Sequence, residues 1–244
     1  ALPIFDLGHF NKNFLDSFRS DESQYNSIFL MHKMFLYIIT GKNSDIFYIY
    51  NPQINAINKI SKLKNNHANG VLISCQDKLF CLSGKYNKKV EMYNETKKEW
   101  IELKEMNIER SFYSACAIKN KYLFCMYGYN TPTNKYLDSI EYYDINDDNK
   151  GWNYLKVNNI NSLKMNICGF MSINYKDEKI IIFGGINGVE ENSVTKFYQI
   201  ILGNDFEKYT IIEETQKKPK DIITNKYYYF VNGFGQFEDT NKNI

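Results

Sequence analysis

Few side chains in this chain suit acid–base, nucleophilic or metal chemistry, and their spacing does not form a working pattern. The 244 residues include three histidines (His9, His32, His67), two arginines (Arg19, Arg110) and five cysteines (Cys75, Cys81, Cys116, Cys125, Cys168). A copper centre needs convergent His and Tyr ligands. A site that grips carboxylates needs a cluster of bidentate guanidinium forks, which two arginines do not supply. No two cysteines stand at CxxC spacing, and the chain contains no HExxH, no GxSxG elbow and no phosphate loop. The run Phe183-Gly184-Gly185-Ile186-Asn187-Gly188 gathers glycines between two strand-like stretches, whereas a dinucleotide fingerprint must run into a helix. The 28 Asp and Glu are scattered, so a carboxylate pair for glycoside chemistry stays open. No cofactor and no metal are expected.

The elements that would position such residues come from a repeat. The stretch Lys78 to Trp100, KLFCLSGKYNKKVEMYNETKKEW, runs as an apolar segment ending in Ser83-Gly84, a polar loop, a second β-type segment ending in Tyr93, a turn, and a tryptophan. The same order returns at Lys121 to Trp152 and at Lys179 to Tyr198, and more weakly near both ends of the chain. The last glycine of each unit falls at Gly41, Gly84, Gly128, Gly185 and Gly233, with spacings of 43, 44, 57 and 48. A period of that size marks propeller blades. In the second unit strand a covers about residues 70–74, b 79–84, c 89–93 and d 100–103. The b segments are continuous apolar runs, as expected of strands buried on both faces. The turns before them are rich in Asp, Asn and Lys, which suits tight hairpins.

These units resemble the kelch repeat. Gly184 and Gly185 match its glycine pair, Tyr93 and Tyr143 its tyrosine, Trp100 and Trp152 its tryptophan. The segment Met106 to Ala117 is similar to the one that opens a kelch blade, with Arg110 at the arginine position. The other units carry Thr40, Ser83, Tyr127 and Asn232 in place of the first glycine, and Ile57 and Tyr209 stand for the tryptophan in the first and fourth units. The resemblance implies an all-β, kelch-type β-propeller of five four-stranded blades spanning 1–244. Residues 1–18 read as closing strands c and d, and Asp221–Thr224 with Tyr227–Gly233 as the a and b strands they complete. Tyr93 and Trp100 are expected in the core, and the glycines are expected to admit an aromatic from strand c or d. The chain begins with Ala rather than Met, which leaves open that it is a piece of a longer protein.

Composition narrows the partners. A formal net charge of +2, with charges interspersed, gives no footprint for nucleic acid. No apolar run approaches the roughly 18–20 residues of a membrane helix, and the N-terminus lacks the order of a signal peptide. The cysteines are odd in number and sit within apolar runs, which points to reduced core thiols and a cytoplasmic setting.

Under the strand assignment the b-to-c loops and d-to-a connections share one face, and most of the extra length falls there: 15 residues from Gly128 to Tyr143 against 9 from Gly84 to Tyr93. Inserted loops on a rigid scaffold are where binding concentrates. The candidate contacts for a protein or peptide partner are Tyr86, Arg110, Tyr129, Asn130, Lys135, Lys164, Asn187 and Phe234. Arg110 carries a second expectation, that of bonding backbone carbonyls at the hub. The resemblance implies a non-enzymatic interaction module. Its alternatives are the substrate arm of a BTB-kelch ubiquitin ligase, and a propeller enzyme acting on a small molecule or glycan. A copper site like that of kelch-type oxidases is disfavoured, because His9 and His32 fall in c-to-d and a-to-b turns while His67 falls in a d-to-a connection.

Overall fold

The structure, a computed structural model, describes residues 28–40, 45–157, 165–188, 192–193, 197–203 and 208–214. Its first sheet is β1 (Ile28–His32), β2 (Phe35–Thr40), β3 (Ile46–Asn51) and β4 (Ala56–Lys62). The second is β5 (Val71–Cys75), β6 (Lys78–Gly84), β7 (Asn87–Asn94) and β8 (Glu99–Glu102). The third begins with β9 (Ser114–Ile118) and β10 (Tyr122–Met126), is interrupted by a small hairpin of β11 (Tyr129–Asn130) and β12 (Lys135–Tyr136), and ends with β13 (Ile140–Asp144) and β14 (Trp152–Tyr154). Next come β15 (Lys156–Val157), β16 (Ile167–Cys168), β17 (Met171–Tyr175), β18 (Lys179–Phe183), β19 (Ile186–Asn187), β20 (Asn192–Ser193), β21 (Phe197–Leu202) and β22 (Lys208–Glu214). The fourth sheet is β17-β18-β21-β22 with β15 added parallel to its outer edge, and β16, β19 and β20 form a small separate sheet. All four main sheets are antiparallel meanders in chain order, and the described residues contain no α-helix.

Local chemistry accounts for the hairpins. Lys33-Met34 and Gln76-Asp77 each form a two-residue turn with both φ values positive, between 46° and 69°. That is the type I′ geometry, whose twist matches that of the strands it joins. The equivalent turns of successive sheets are tied to one another. Lys33 Nζ reaches Asp77 Oδ1 at 3.0 Å, the Gln76 amide donates to Asn120 Oδ1 at 2.7 Å, and the Lys119 amide donates to Asp177 Oδ1 at 2.6 Å.

The first strands lie side by side, β1 against β5, β5 against β9 and β9 against β17, so consecutive sheets pack face to face with an apolar layer between each pair. The b strands supply both layers by alternation. Leu79 and Cys81 face Phe47 and Ile39 of the first sheet, while Phe80 and Leu82 face Leu123 and Cys125 of the third. Phe124 and Met126 in turn face Ile180 and Ile182 of the fourth. Period-two alternation with apolar residues on both faces is what makes these runs continuous in sequence. Tyr93 and Trp100 pair across β7 and β8 with ring centroids 5.3 Å apart, and Tyr143 and Trp152 pair across β13 and β14 at 5.2 Å. All four are buried.

Two expectations need correction. In the fourth sheet the positions of Tyr93 and Trp100 are held by Ile200 and Ile211, which face each other across β21 and β22. Tyr198 lies two residues before that position, opposite Ile182, and Tyr209 pairs with Leu202. The run FYQIIL extends beyond the tyrosine, so a tyrosine does not mark the phase there. The second correction concerns the glycines. A Cβ on Gly84 would meet Ala68 O at 2.8 Å, on Gly128 Tyr113 Cβ at 2.6 Å, and on Gly185 Cys168 O at 2.7 Å. Their close neighbour is the segment leading into strand a, not an aromatic from strand c or d. The preceding residues Ser83, Tyr127 and Gly184 also have positive φ, between 44° and 72°. The glycine pair is therefore a pair of left-handed residues, of which only the second sits too tightly for a side chain.

The expected closing strands 1–18, and the a and b strands at 221–233, lie outside the described residues. Among the described residues no helix is long and apolar enough to cross a membrane.

Candidate functional site

Among the described residues, the segments before β5 and β9 carry organised, buried polar chemistry. Arg110 stands four residues before β9, is wholly buried, and spends its guanidinium on protein groups. Nε and Nη2 donate to Glu141 Oε1 at 3.1 and 2.9 Å, Nη1 donates to the carbonyls of Tyr127 and Ser139 at 2.9 Å each, and Nη2 donates to Ser139 Oγ at 2.8 Å. Glu141 Oε2 accepts the Asn107 amide at 2.8 Å. A buried charge persists only when paired and hydrogen-bonded in this way.

His67 occupies the same place before β5. Its Nδ1 lies 2.7 Å from the Ser83 carbonyl, and its Nε2 lies 3.0 Å from Glu91 Oε1. Ser83 and Tyr127 are equivalent, as are Glu91 and Glu141, each two residues before its c-strand tyrosine. Because a carbonyl only accepts, Nδ1 is protonated. Glu91 accepts the Lys64 amide at 3.0 Å and the Asn65 amide and side chain at 2.9 and 3.1 Å, which marks it as ionised. The ring is then an imidazolium. Burial drives its pKa down, but the adjoining Cys81 and the Glu91 carboxylate outweigh that and raise it to about 10. Burial likewise opposes ionisation of Glu91, and the bonds from His67, Lys64 and Asn65 overcome it and lower its pKa.

Just beyond these pairs the chain reaches the surface. Asn69, Phe112 and Gly169, each two residues before its first strand, all have left-handed φ of 59°, 53° and 62°. The Phe112 amide donates to Asn69 O at 3.1 Å, and the Gly169 amide donates to Phe112 O at 2.7 Å. A bulky aromatic in this conformation is an outlier, and Phe112 is also 42% exposed. Tyr86, with φ of 59°, is 70% exposed. Lys85 N donates to Ala68 O at 2.7 Å, so Lys85 and Phe112 are bonded to adjacent residues of one segment.

Glu109 fixes the loops around these aromatics. Its Oε1 accepts the Tyr86 amide at 3.0 Å, and its Oε2 accepts the Thr131 amide at 2.8 Å and Asn130 Nδ2 at 2.9 Å. Burial pushes the Glu109 pKa up, against the amides of Thr131 and Tyr86. Lys64, Lys85 and Lys135 are exposed around the loops, whereas Glu91, Glu109 and Glu141 turn inward and Glu105 is held by Lys88 and Lys89.

Among the expected contacts, Tyr86 and Lys135 are exposed on this face, and Tyr129 is half-buried with its ring 5.2 Å from Tyr136. Asn187 is half-buried in β19. Asn130 is buried, donating to Glu109 and accepting the Thr133 amide at 3.0 Å, so it shapes the hairpin instead of facing solvent. Arg110 is wholly buried with its donors engaged and presents nothing to a surface partner; the carbonyl-bonding expectation describes its place. Lys164 and Phe234 lie outside the described residues. Phe112 and Glu109 were not among the expected contacts. The Glu-x-Tyr spacing shared by Glu91 and Glu141 was a readable sign of the buried pairs, but nothing in residue type marks Phe112 as left-handed.

His32 ends β1 beside the turn at Lys33, with Nε2 3.6 Å from Asp77, while His67 lies buried in the connection between the first and second sheets. No group of three or more metal-ligating side chains occurs among the described residues. No family model matches the chain, and no curated protein matches it by sequence.

Proposed function

We propose that the chain is a kelch-type β-propeller module, non-enzymatic and cytoplasmic, that binds a protein partner on the face formed by its b-to-c and d-to-a loops. The observation that carries this reading is Phe112. An exposed aromatic held at positive φ, where the neighbouring sheets place Asn69 and Gly169, keeps a conformation that costs stability and exposes apolar area. Such positions persist where a partner covers them, and aromatic anchors carry a large share of binding energy at interfaces. Tyr86 supplies a second anchor. Lys64, Lys85 and Lys135 are exposed with no acidic partner among the described residues, Lys85 Nζ lying 5.5 Å from the Tyr86 ring centroid, which makes an apolar side chain flanked by acidic groups the complementary ligand.

Support for the architecture comes from four successive meanders with adjoining first strands, left-handed pairs at three b-strand ends, and two cross-strand Tyr–Trp pairs. Five free thiols favour the cytoplasmic setting. The test is affinity capture from the source cell with wild type, Tyr86→Ala, Phe112→Ser and a control, Lys59→Ala, on the outer strand β4. A protein captured by wild type and control but lost from both loop variants, at unchanged melting temperature, is the expected result. Equal capture by all four removes this face as the binding site.

A further inference from the structure

One proline of the four follows a hydroxyl-bearing residue: Pro132 follows Thr131, whereas Pro3, Pro52 and Pro219 follow Leu2, Asn51 and Lys218. This Thr-Pro step stands in the loop of the β11–β12 hairpin, where Pro132, Thr133 and Asn134 are exposed and Thr131 is half-buried. We propose that Thr131 is a phosphorylation site for a proline-directed protein kinase, and that a phosphate there loosens the Tyr86 loop through Glu109.

The recognition is chemical. Proline at the following position has no N–H and a fixed φ, so a kinase pocket that leaves no acceptor there selects it. In the transfer, Thr131 Oγ1 forms a bond to the γ-phosphorus of ATP, the bond to the β–γ bridging oxygen breaks, ADP departs with that electron pair, and the hydroxyl proton passes to the kinase's catalytic aspartate.

The consequence follows from what Thr131 touches. Its amide donates to Glu109 Oε2 at 2.8 Å, and its hydroxyl lies 3.2 Å from Ser111 Oγ. Glu109 is buried, so its charge is poorly screened. A phosphate adds roughly 1.5 to 2 further negative charges beside it. The repulsion is relieved when Thr131 withdraws, which takes a donor from Glu109 and draws water to it. The other oxygen of the same carboxylate holds the Tyr86 amide at 3.0 Å, so the disturbance at one loop reaches the other. The effect on partner binding rests on the reading in the preceding subsection, but neither measurement below involves a partner.

The full chain is incubated with MgATP and a Ser/Thr kinase specific for proline at the following position, and phosphate is mapped by mass spectrometry. One phosphate on Thr131 is expected, absent from Thr131→Ala and strongly reduced in Pro132→Ala. No incorporation, incorporation elsewhere, or indifference to Pro132→Ala overturns the site. Hydrogen exchange of the phosphorylated chain, and of Thr131→Glu, should then show the Tyr86 amide exchanging at least about tenfold faster, equivalent to about 1.4 kcal/mol, with β10 amides unchanged. In Glu109→Gln the phosphate should no longer alter Tyr86 exchange. Unchanged Tyr86 exchange in wild type, or an equal response in Glu109→Gln, overturns the coupling.

Discussion

The second and third sheets solve one problem with different side chains. Both bury a cation four residues before the first strand and pair it with a glutamate two residues before the c-strand tyrosine. In the second sheet the cation is His67, which can lose its proton; in the third it is Arg110, and arginine side chains stay charged across the accessible pH range. The fourth sheet dispenses with the pair, placing buried Ile167 and half-buried Tyr198 at the equivalent positions. The fold therefore requires that this space be filled and that the carbonyl at the end of strand b be met when a donor is present. An ion pair is one of two available fillings.

The largest way to break the comparison is Arg110→Leu, which strands the Glu141 carboxylate in the interior with the Asn107 amide. Breaking a buried pair from one side costs about 3–5 kcal/mol, and urea denaturation would read it. Adding Glu141→Leu should return most of that loss, since apolar replacement of a whole buried pair is often neutral. A double variant as unstable as the single one would show that the third sheet, unlike the fourth, depends on the charges themselves.

His67 sharpens the contrast through pH. Its folded pKa is raised above the usual 6.5 to about 10, so its contribution is fully present below pH 6.5 and is lost as pH rises through 10. Between those limits the wild type should lose up to about 1.4 kcal/mol per pH unit relative to His67→Gln. Parallel urea midpoints for the two proteins from pH 7 to 9.5 would contradict an imidazolium at this position.

The tryptophans differ more modestly. Trp152 Nε1 donates to the Lys104 carbonyl at 3.0 Å, while Trp100 Nε1 is buried without a hydrogen-bond partner among the described residues. Replacing each by Phe should cost about 1 kcal/mol more at Trp152, the worth of a typical hydrogen bond. Equal losses would mean that packing alone holds both rings.

What could be read in the sequence follows from where each signal is written. The b strands were legible because burial on both faces leaves no polar residue in Leu79–Leu82 or Leu123–Met126, and the Tyr–Trp pairs because both residues are large and regularly placed. The fourth sheet's register was not, because Phe197–Leu202 is apolar at nearly every step and offers no phase. Arg110 fits two readings in sequence, a surface contact, as arginine usually is, and a donor to hub carbonyls; its acceptors, Glu141 and the Tyr127 and Ser139 carbonyls, lie 17 to 31 residues away, so nothing local chooses between the two. The hairpin loop was found from its length alone, whereas the carboxylate joining it to Tyr86 was one of 28 acidic residues with nothing local to single it out.

The smallest expected effect bears on function. Phe112, Asn69 and Gly169 share a left-handed place in successive sheets, and of the three only Phe112 combines strain with an exposed ring. The left-handed conformation costs an ordinary side chain roughly 1–2 kcal/mol, and glycine escapes that cost but loses up to about 1 kcal/mol in chain entropy. Phe112→Gly should therefore leave stability unchanged or raise it by less than about 1 kcal/mol, making the third sheet like the fourth. Its backbone bonds to Asn69 and Gly169 are main-chain and survive the change. A clear loss of stability would show that the ring packs against the protein and is no anchor. Retained stability with loss of partner capture would assign the strain at Phe112 to binding, since the fold has no need of it.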